Sequence, residues 1–241
     1  MIRRATLLGA LLLLAACRPP KYALYTSPDR DFMVNVPFAW AVVTDKSDGA
    51  FTHVNFIGPF DARFFRGAPS MSVRWYAYGK AHYLPGGAME RYESADDFIK
   101  QTLAKVYAPT YVLHHQPIDN SFETKPCVDP DPLCILSAEV GPPGAKVDAK
   151  IFTVVSPVKV ITEHFGLFKG EDGYNYNPRK HEYVVVPRAK GLYVLTYPAT
   201  TFGYPKHKPQ FNQFVNSFRL LTEGPAGPQV AHGSALPVKK S

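Results

Sequence analysis

Apolar and polar residues alternate along much of this chain, and the alternation has the short period of strands. Residues 70–79, SMSVRWYAYG, put Met71, Val73, Trp75 and Ala77 on one face and Ser72, Arg74, Tyr76 and Tyr78 on the other. A period of two predicts a strand. Apolar runs at 31–37 and 39–45, separated at Pro37, and at 51–58 predict three more. Further strands are predicted at 110–116, 133–140, 147–156, 158–165, 181–188 and 191–199. Runs this close together leave room only for hairpin links, so the sheet is expected to be largely antiparallel. Lys190-Gly191 supplies one of the turns.

Two segments carry the helical period instead. Ser94 reads as an N-cap, with Asp97 three residues on as a box-like partner. Phe98, Ile99, Leu103, Val106 and Tyr107 then share one helical face, up to a break at Pro109. A second helix is predicted from Pro209, a favourable first-turn residue. Its Phe211, Phe214, Val215 and Phe218 keep the i, i+3, i+4, i+7 spacing. Such an aromatic stripe reads as core packed on a sheet. Residues 223–241 have no periodicity and much Gly and Pro, which predicts a disordered tail.

The start of the chain follows neither pattern. Met1-Ile2-Arg3-Arg4 is basic, and Ala5 to Leu14 is apolar. That run has the length of a signal-peptide core and falls short of the ~20 residues that cross a bilayer. Leu14-Ala15-Ala16-Cys17 resembles the lipobox of bacterial lipoproteins. The resemblance implies that residues 1–16 are removed and that Cys17 receives a diacylglycerol on sulfur and often an acyl chain on nitrogen. Each buried CH₂ contributes about 0.8 kcal/mol, and two chains anchor stably. Residues 17–22 then form a lipid-bearing tether, 23–222 one domain and 223–241 the tail. Arg18, where Asp would favour the inner membrane, points to the periplasmic face of the outer membrane.

A second resemblance concerns the domain. YTSPDRDFMVNVPFAW is similar to the opening of Mog1/PsbP-like domains, through Phe32, Val34, Val36, Pro37 and Trp40. GLYVLTYPATTFGYPKHKPQFNQFVNSFRL is similar to their close, through Leu195, Tyr197, Phe211, Phe214, Ser217 and Phe218. The resemblance covers both ends and leaves a β-rich middle, 121–188, as an elaboration. It implies an α+β fold, an α/β/α sandwich around a largely antiparallel sheet. It implies binding or assembly more than catalysis and transfers no catalytic residue.

Composition narrows the options. The chain carries 27 basic and 20 acidic side chains. Removing residues 1–16 takes Arg3 and Arg4 and no acid, so 25 against 20 leaves +5. The densest basic spots, Lys206-His207-Lys208 and Lys239-Lys240, are too small for a nucleic-acid groove. Attraction to anionic headgroups near the tether is within their reach. With Cys17 acylated, Cys127 and Cys134 remain and bracket CVDPDPLC. In an oxidising periplasm they are expected to pair as a disulfide. A metal there would need more than Asp129 and Asp131, and the prolines hinder wrapping. No metal or cofactor is assigned.

No Gly-x-Ser-x-Gly elbow, P-loop, His-Glu-x-x-His or Cys-x-x-Cys is present. His114-His115, Glu163-His164 and His181-Glu182 are adjacent pairs, and on strands each would split across two faces. The loops at 79–90 and 170–178 combine Tyr, Asn and Gly with few charges. Tyr83, Tyr174 and Tyr176 within them are the expected partner contacts. The chain therefore reads as an envelope lipoprotein that binds or assembles a membrane-associated partner. The alternative is a periplasmic small-molecule or metal binder, and a hydrolase comes third. A deep apolar pocket with convergent polar groups would favour the small-molecule binder, and a flat exposed aromatic patch would favour the partner-binding role.

Overall fold

The computed structural model describes residues 20–47, 50–64, 67–83, 89–114, 135–160, 168–169 and 175–225. Cys17, Cys127, Cys134, His115, Glu163, His164 and Tyr174 lie outside these residues, as do the signal segment and positions 226–241 of the tail. In chain order the first strands are β1 (Tyr22–Thr26), β2 (Phe32–Pro37), β3 (Ala41–Ser47), β4 (Phe51–Ile57), β5 (Ser70–Ala77), β6 (His82–Tyr83) and β7 (Met89–Glu90). Helix α1 (Ala95–His114) follows, then β8 (Leu136–Val140), β9 (Val147–Val160), β10 (Phe168–Lys169), β11 (Asn175–Pro187) and β12 (Gly191–Thr200). Helix α2 (Tyr204–Ser217) and β13 (Arg219–Leu220) close the described fold.

The main sheet runs β3-β4-β5-β12-β11-β9-β8, with β10 paired to β11. A small sheet runs β1-β2-β13, and β6-β7 is a separate hairpin. Every pairing is antiparallel. The fold is α+β and dominated by antiparallel sheet, as the spacing of the runs predicts. The β-rich middle region supplies β8, β9 and β11, one flank of the main sheet.

Each face of the main sheet carries a buried core cluster, and the alternation of single strands explains how. On one face Met71, Val73 and Trp75 of β5 and Tyr193, Leu195 and Tyr197 of β12 join Phe211, Phe214 and Phe218. Phe32, Val34 and Val36 of the small sheet complete that layer. On the other face Tyr76, Leu192, Val194 and Val185 meet Phe98, Ile99 and Leu103 of α1. The aromatic stripe of α2 is core: Phe211, Phe214 and Phe218 are each 0% exposed. The cap of α1 also forms. The Asp97 N–H donates to Ser94 Oγ at 3.1 Å, and Asp97 Oδ2 accepts the Glu93 N–H at 2.9 Å.

Four expectations are corrected. The strand predicted at 110–116 is helical as far as His114, because α1 continues through Pro109. Proline removes one helical hydrogen bond and kinks a helix but does not oblige it to stop. The strands predicted at 147–156 and 158–165 are one strand as far as Val160, with Pro157 inside it. Pro157 lies opposite Pro178, so neither strand carries an N–H at that rung to be left unpaired. Positions 175–178 of the predicted loop at 170–178 are the start of β11, paired with β9. Finally, α2 starts at Tyr204 with a proline in its first turn, and Pro209 sits inside it. Tyr204 to Lys208 carry no apolar period, so the first turn was invisible in the pattern.

A polar pocket on the sheet

Helix α1 packs on the apolar stretch of its face through Phe98, Ile99 and Leu103. Following the strands out from under it, the inward residues change from apolar to polar at the same level. On β12 Leu192 and Val194 give way to Thr196 and Pro198, and on β5 Tyr76 gives way to Arg74, Ser72 and Ser70. On β11 Val185 gives way to Tyr183, His181 and Arg179. The register lines these up across four strands. Tyr183 faces Thr196, Thr196 faces Ser72, and Ser72 faces Asn55. One rung towards α1, Val194 faces Arg74, and Arg74 faces His53.

The result is a cavity of about 260 Å³. Its lining includes Arg74, Arg179, His53, His181, Tyr183 and Thr196, and no Asp or Glu among the described residues. The volume is a little under the ~300–1,000 Å³ of drug-sized sites, which suits a small ligand. Arg74 Nε and Thr196 Oγ1 are buried and have no hydrogen-bond partner. Burial opposes the charge of Arg74, but a hydrogen bond with the Tyr76 side chain and the nearby Glu90 carboxylate favour it, and the pKa is raised. The guanidinium therefore stays charged. Burial raises the pKa of Tyr183, so its hydroxyl stays neutral as a donor. The Glu90 carboxylate also lies 3.1 Å from His82 Nε2. Chemically the pocket offers a fixed cation, hydroxyl groups and imidazoles, a set that recognises an anion.

The residues singled out in the sequence fall elsewhere. Tyr83 is 73% exposed on the β6-β7 hairpin. This hairpin lies at the end of the sheet where β4 begins and β5 stops, with His82 stacked on Phe51 at 4.8 Å. The backbone of Tyr176 lies at the opposite end, beyond the rung that joins Arg179 to Thr200. The structure does not bring the two together. His114 ends α1 and is not on a strand. The pair His181-Glu182 does split: His181 lines the pocket, while Glu182 is 6% exposed and accepts from Tyr204 and Lys208 of α2. Among the described residues no group of three His, Cys, Asp or Glu could hold a metal ion, and no helix is long and apolar enough to cross a membrane.

Arg74 and Arg179 were missed by motif reading. The usable signal was an arginine alternating with serine inside a strand whose other face is wholly apolar.

No family model and no curated protein matches the chain. Among solved structures, a crystal structure at 1.50 Å from Bacteroides thetaiotaomicron VPI-5482 matches with a TM-score of 0.39 and 12% identity. The match covers 85% of this chain and 50% of that one, so the chain spans about half the length of the protein it resembles.

Proposed function

We propose that this protein is a lipid-anchored envelope protein whose folded domain binds a small anion in the sheet pocket. The observation that carries the reading is Arg74, which lines a cavity with no acid among its described lining residues and whose Nε is buried there without a partner. A buried donor left unpaired costs about 1–3 kcal/mol, more when it is charged. A carboxylate or phosphate oxygen would remove that cost. Of the classes the sequence leaves open, this is the small-molecule binder, supported by the convergent polar groups of the pocket though not by the deep apolar lining expected of one. The anchor rests on the Leu-Ala-Ala-Cys motif ending at Cys17.

The Mog1/PsbP resemblance belongs to the same proposal. It is supported by how the quoted motifs meet: Phe32 and Phe218 lie 5.7 Å apart, and Ser217 Oγ accepts the Asn35 N–H at 2.9 Å.

Thermal melting of the full chain in detergent tests the pocket, with inorganic phosphate, succinate and glucose as probes. Binding to the folded state alone raises Tm with ligand concentration. At least one anion is expected to raise Tm in a saturable way, glucose should not, and Arg74→Gln should abolish the response. Arg74→Lys, which keeps a charge but loses Nε, guards against a Gln variant that fails to fold. No shift with either anion, or the same shift in both variants, would overturn the assignment.

A further inference from the structure

The loops at one end of the main sheet carry exposed phenylalanines, and the tether arrives at that same end. Phe38 follows β2, Phe60 follows β4 and Phe202 follows β12; they are 50%, 82% and 53% exposed. The register puts the three at one level. Ala41 faces Ile57, Ile57 faces Ser70, and Ser72 faces Thr196, so β3 begins where β4 and β12 end. The loops also touch one another. A Cβ on Gly58 would meet the Trp40 ring at 2.8 Å, and one on Gly203 would meet Phe64 at 3.0 Å. Trp40 and Phe64 both pack edge-on against His207.

The chain enters here. The Phe38 N–H donates to the Lys21 carbonyl at 3.0 Å, and Tyr22 pairs with Pro37. Only Arg18, Pro19 and Pro20 separate Cys17 from Lys21. Fully extended, that path spans about 14 Å at most. The charge at this end is positive. Among the described residues here, Lys21 and Lys206 are exposed and Arg63 is half-buried, against one acid, Asp61, which is already bonded to Arg63 and Lys206. Exposed aromatics over a basic rim suit the interface of an anionic bilayer, where aromatic side chains settle at headgroup depth.

We infer that this end of the domain rests on the phospholipid surface, with Phe38, Phe60 and Phe202 in the headgroup layer. The inference rests on the lipid anchor at Cys17. It orients the molecule: the hairpin bearing Tyr83 is at the other end of the sheet and faces away from the bilayer.

The test uses the full chain, purified from a host that acylates bacterial lipoproteins. It is reconstituted into phosphatidylcholine–phosphatidylglycerol vesicles containing a diazirine-bearing phosphatidylcholine. After irradiation the lipid adducts are mapped by mass spectrometry, and the intact mass reports the lipid on Cys17. Adducts are expected at 38–40, 58–64 and 200–206 and not at 82–90, and the double variant F60S/F202S should lose most of them. Lipid-bearing protein with adducts at Tyr83, or with none on the domain, overturns the orientation. The same holds if Phe60 crosslinks to a second copy or to another protein. An intact mass without lipid on Cys17 overturns the anchor itself, and the inference with it.

Discussion

At the scale of single residues, this protein buries polar groups in two different ways. Asp31 is 2% exposed and is surrounded by donors: Ser27 Oγ, and the Tyr193 hydroxyl at 2.6 Å. Its carbonyl accepts the Leu221 N–H at 2.8 Å, which ties the end of the fold to β2. Arg74 and His207 are the contrast. Both His207 ring nitrogens are buried without a hydrogen-bond partner, between Trp40 and Phe64, with Asp61 Oδ2 at 3.9 Å. Burial, then Lys206 beside it, lower the His207 pKa, and Asp61 opposes them only in part. The unfolded chain therefore takes up a proton near the ordinary value of 6.5 while the folded chain resists. Stability is full above that pH and falls as the pH drops below it. Urea unfolding between about pH 7 and 5 should show this loss, and His207→Phe should flatten it. The Arg63 and Lys206 contacts hold the Asp61 carboxyl well below its usual range. Its own contribution is lost only at lower pH, outside that window. Equal slopes in wild type and His207→Phe would refute the assignment.

Elements show how sequence pattern turns into layers. The alternation of 70–77 was legible, and it placed Met71, Val73 and Trp75 in one core and Tyr76 in the other. Ser94 and Asp97 were legible as a cap because the bonds they make are local. The strand at 110–116 was misread because aromatic and β-branched residues also occur in helices, and tertiary context overrides a weak propensity. The β11-β12 hairpin is a tight joint, where the Arg188 N–H donates to the Gly191 carbonyl at 2.8 Å. The predicted turn at Lys190-Gly191 lies here, one residue out: the loop residues are Ala189 and Lys190. Gly191 faces Ala77 on β5, and a Cβ there would lie 2.3 Å from the Tyr76 carbonyl oxygen and 2.6 Å from the Trp75 ring. Strand β12 lies against β5 at this point only because the side chain is missing. Gly191→Ala should cost about 1–3 kcal/mol, the usual range for overpacking, read from urea unfolding. A variant as stable as wild type would show that β5 gives way freely there.

At the scale of the molecule, what was hidden in the sequence is what register creates. The row Tyr183–Thr196–Ser72–Asn55 joins residues from four strands far apart in the chain. Alternation assigns each residue to a face but does not say which strands adjoin. The pocket could not be read without that order, although the lone arginine in 70–77 marked one wall of it. Strand pairing also places Lys21, the exposed phenylalanines and the basic side chains of Arg63 and Lys206 at one end of the sheet. The central claim is that Arg74 holds a small anion through its buried Nε. The most direct measurement is the NMR signal of the Arg74 Nε–H, identified by its absence in Arg74→Lys, as phosphate or succinate is added to the full chain in detergent micelles. This signal is expected to shift and saturate with one of the two anions. A signal that stays put at anion concentrations that saturate other arginine signals would contradict the central claim.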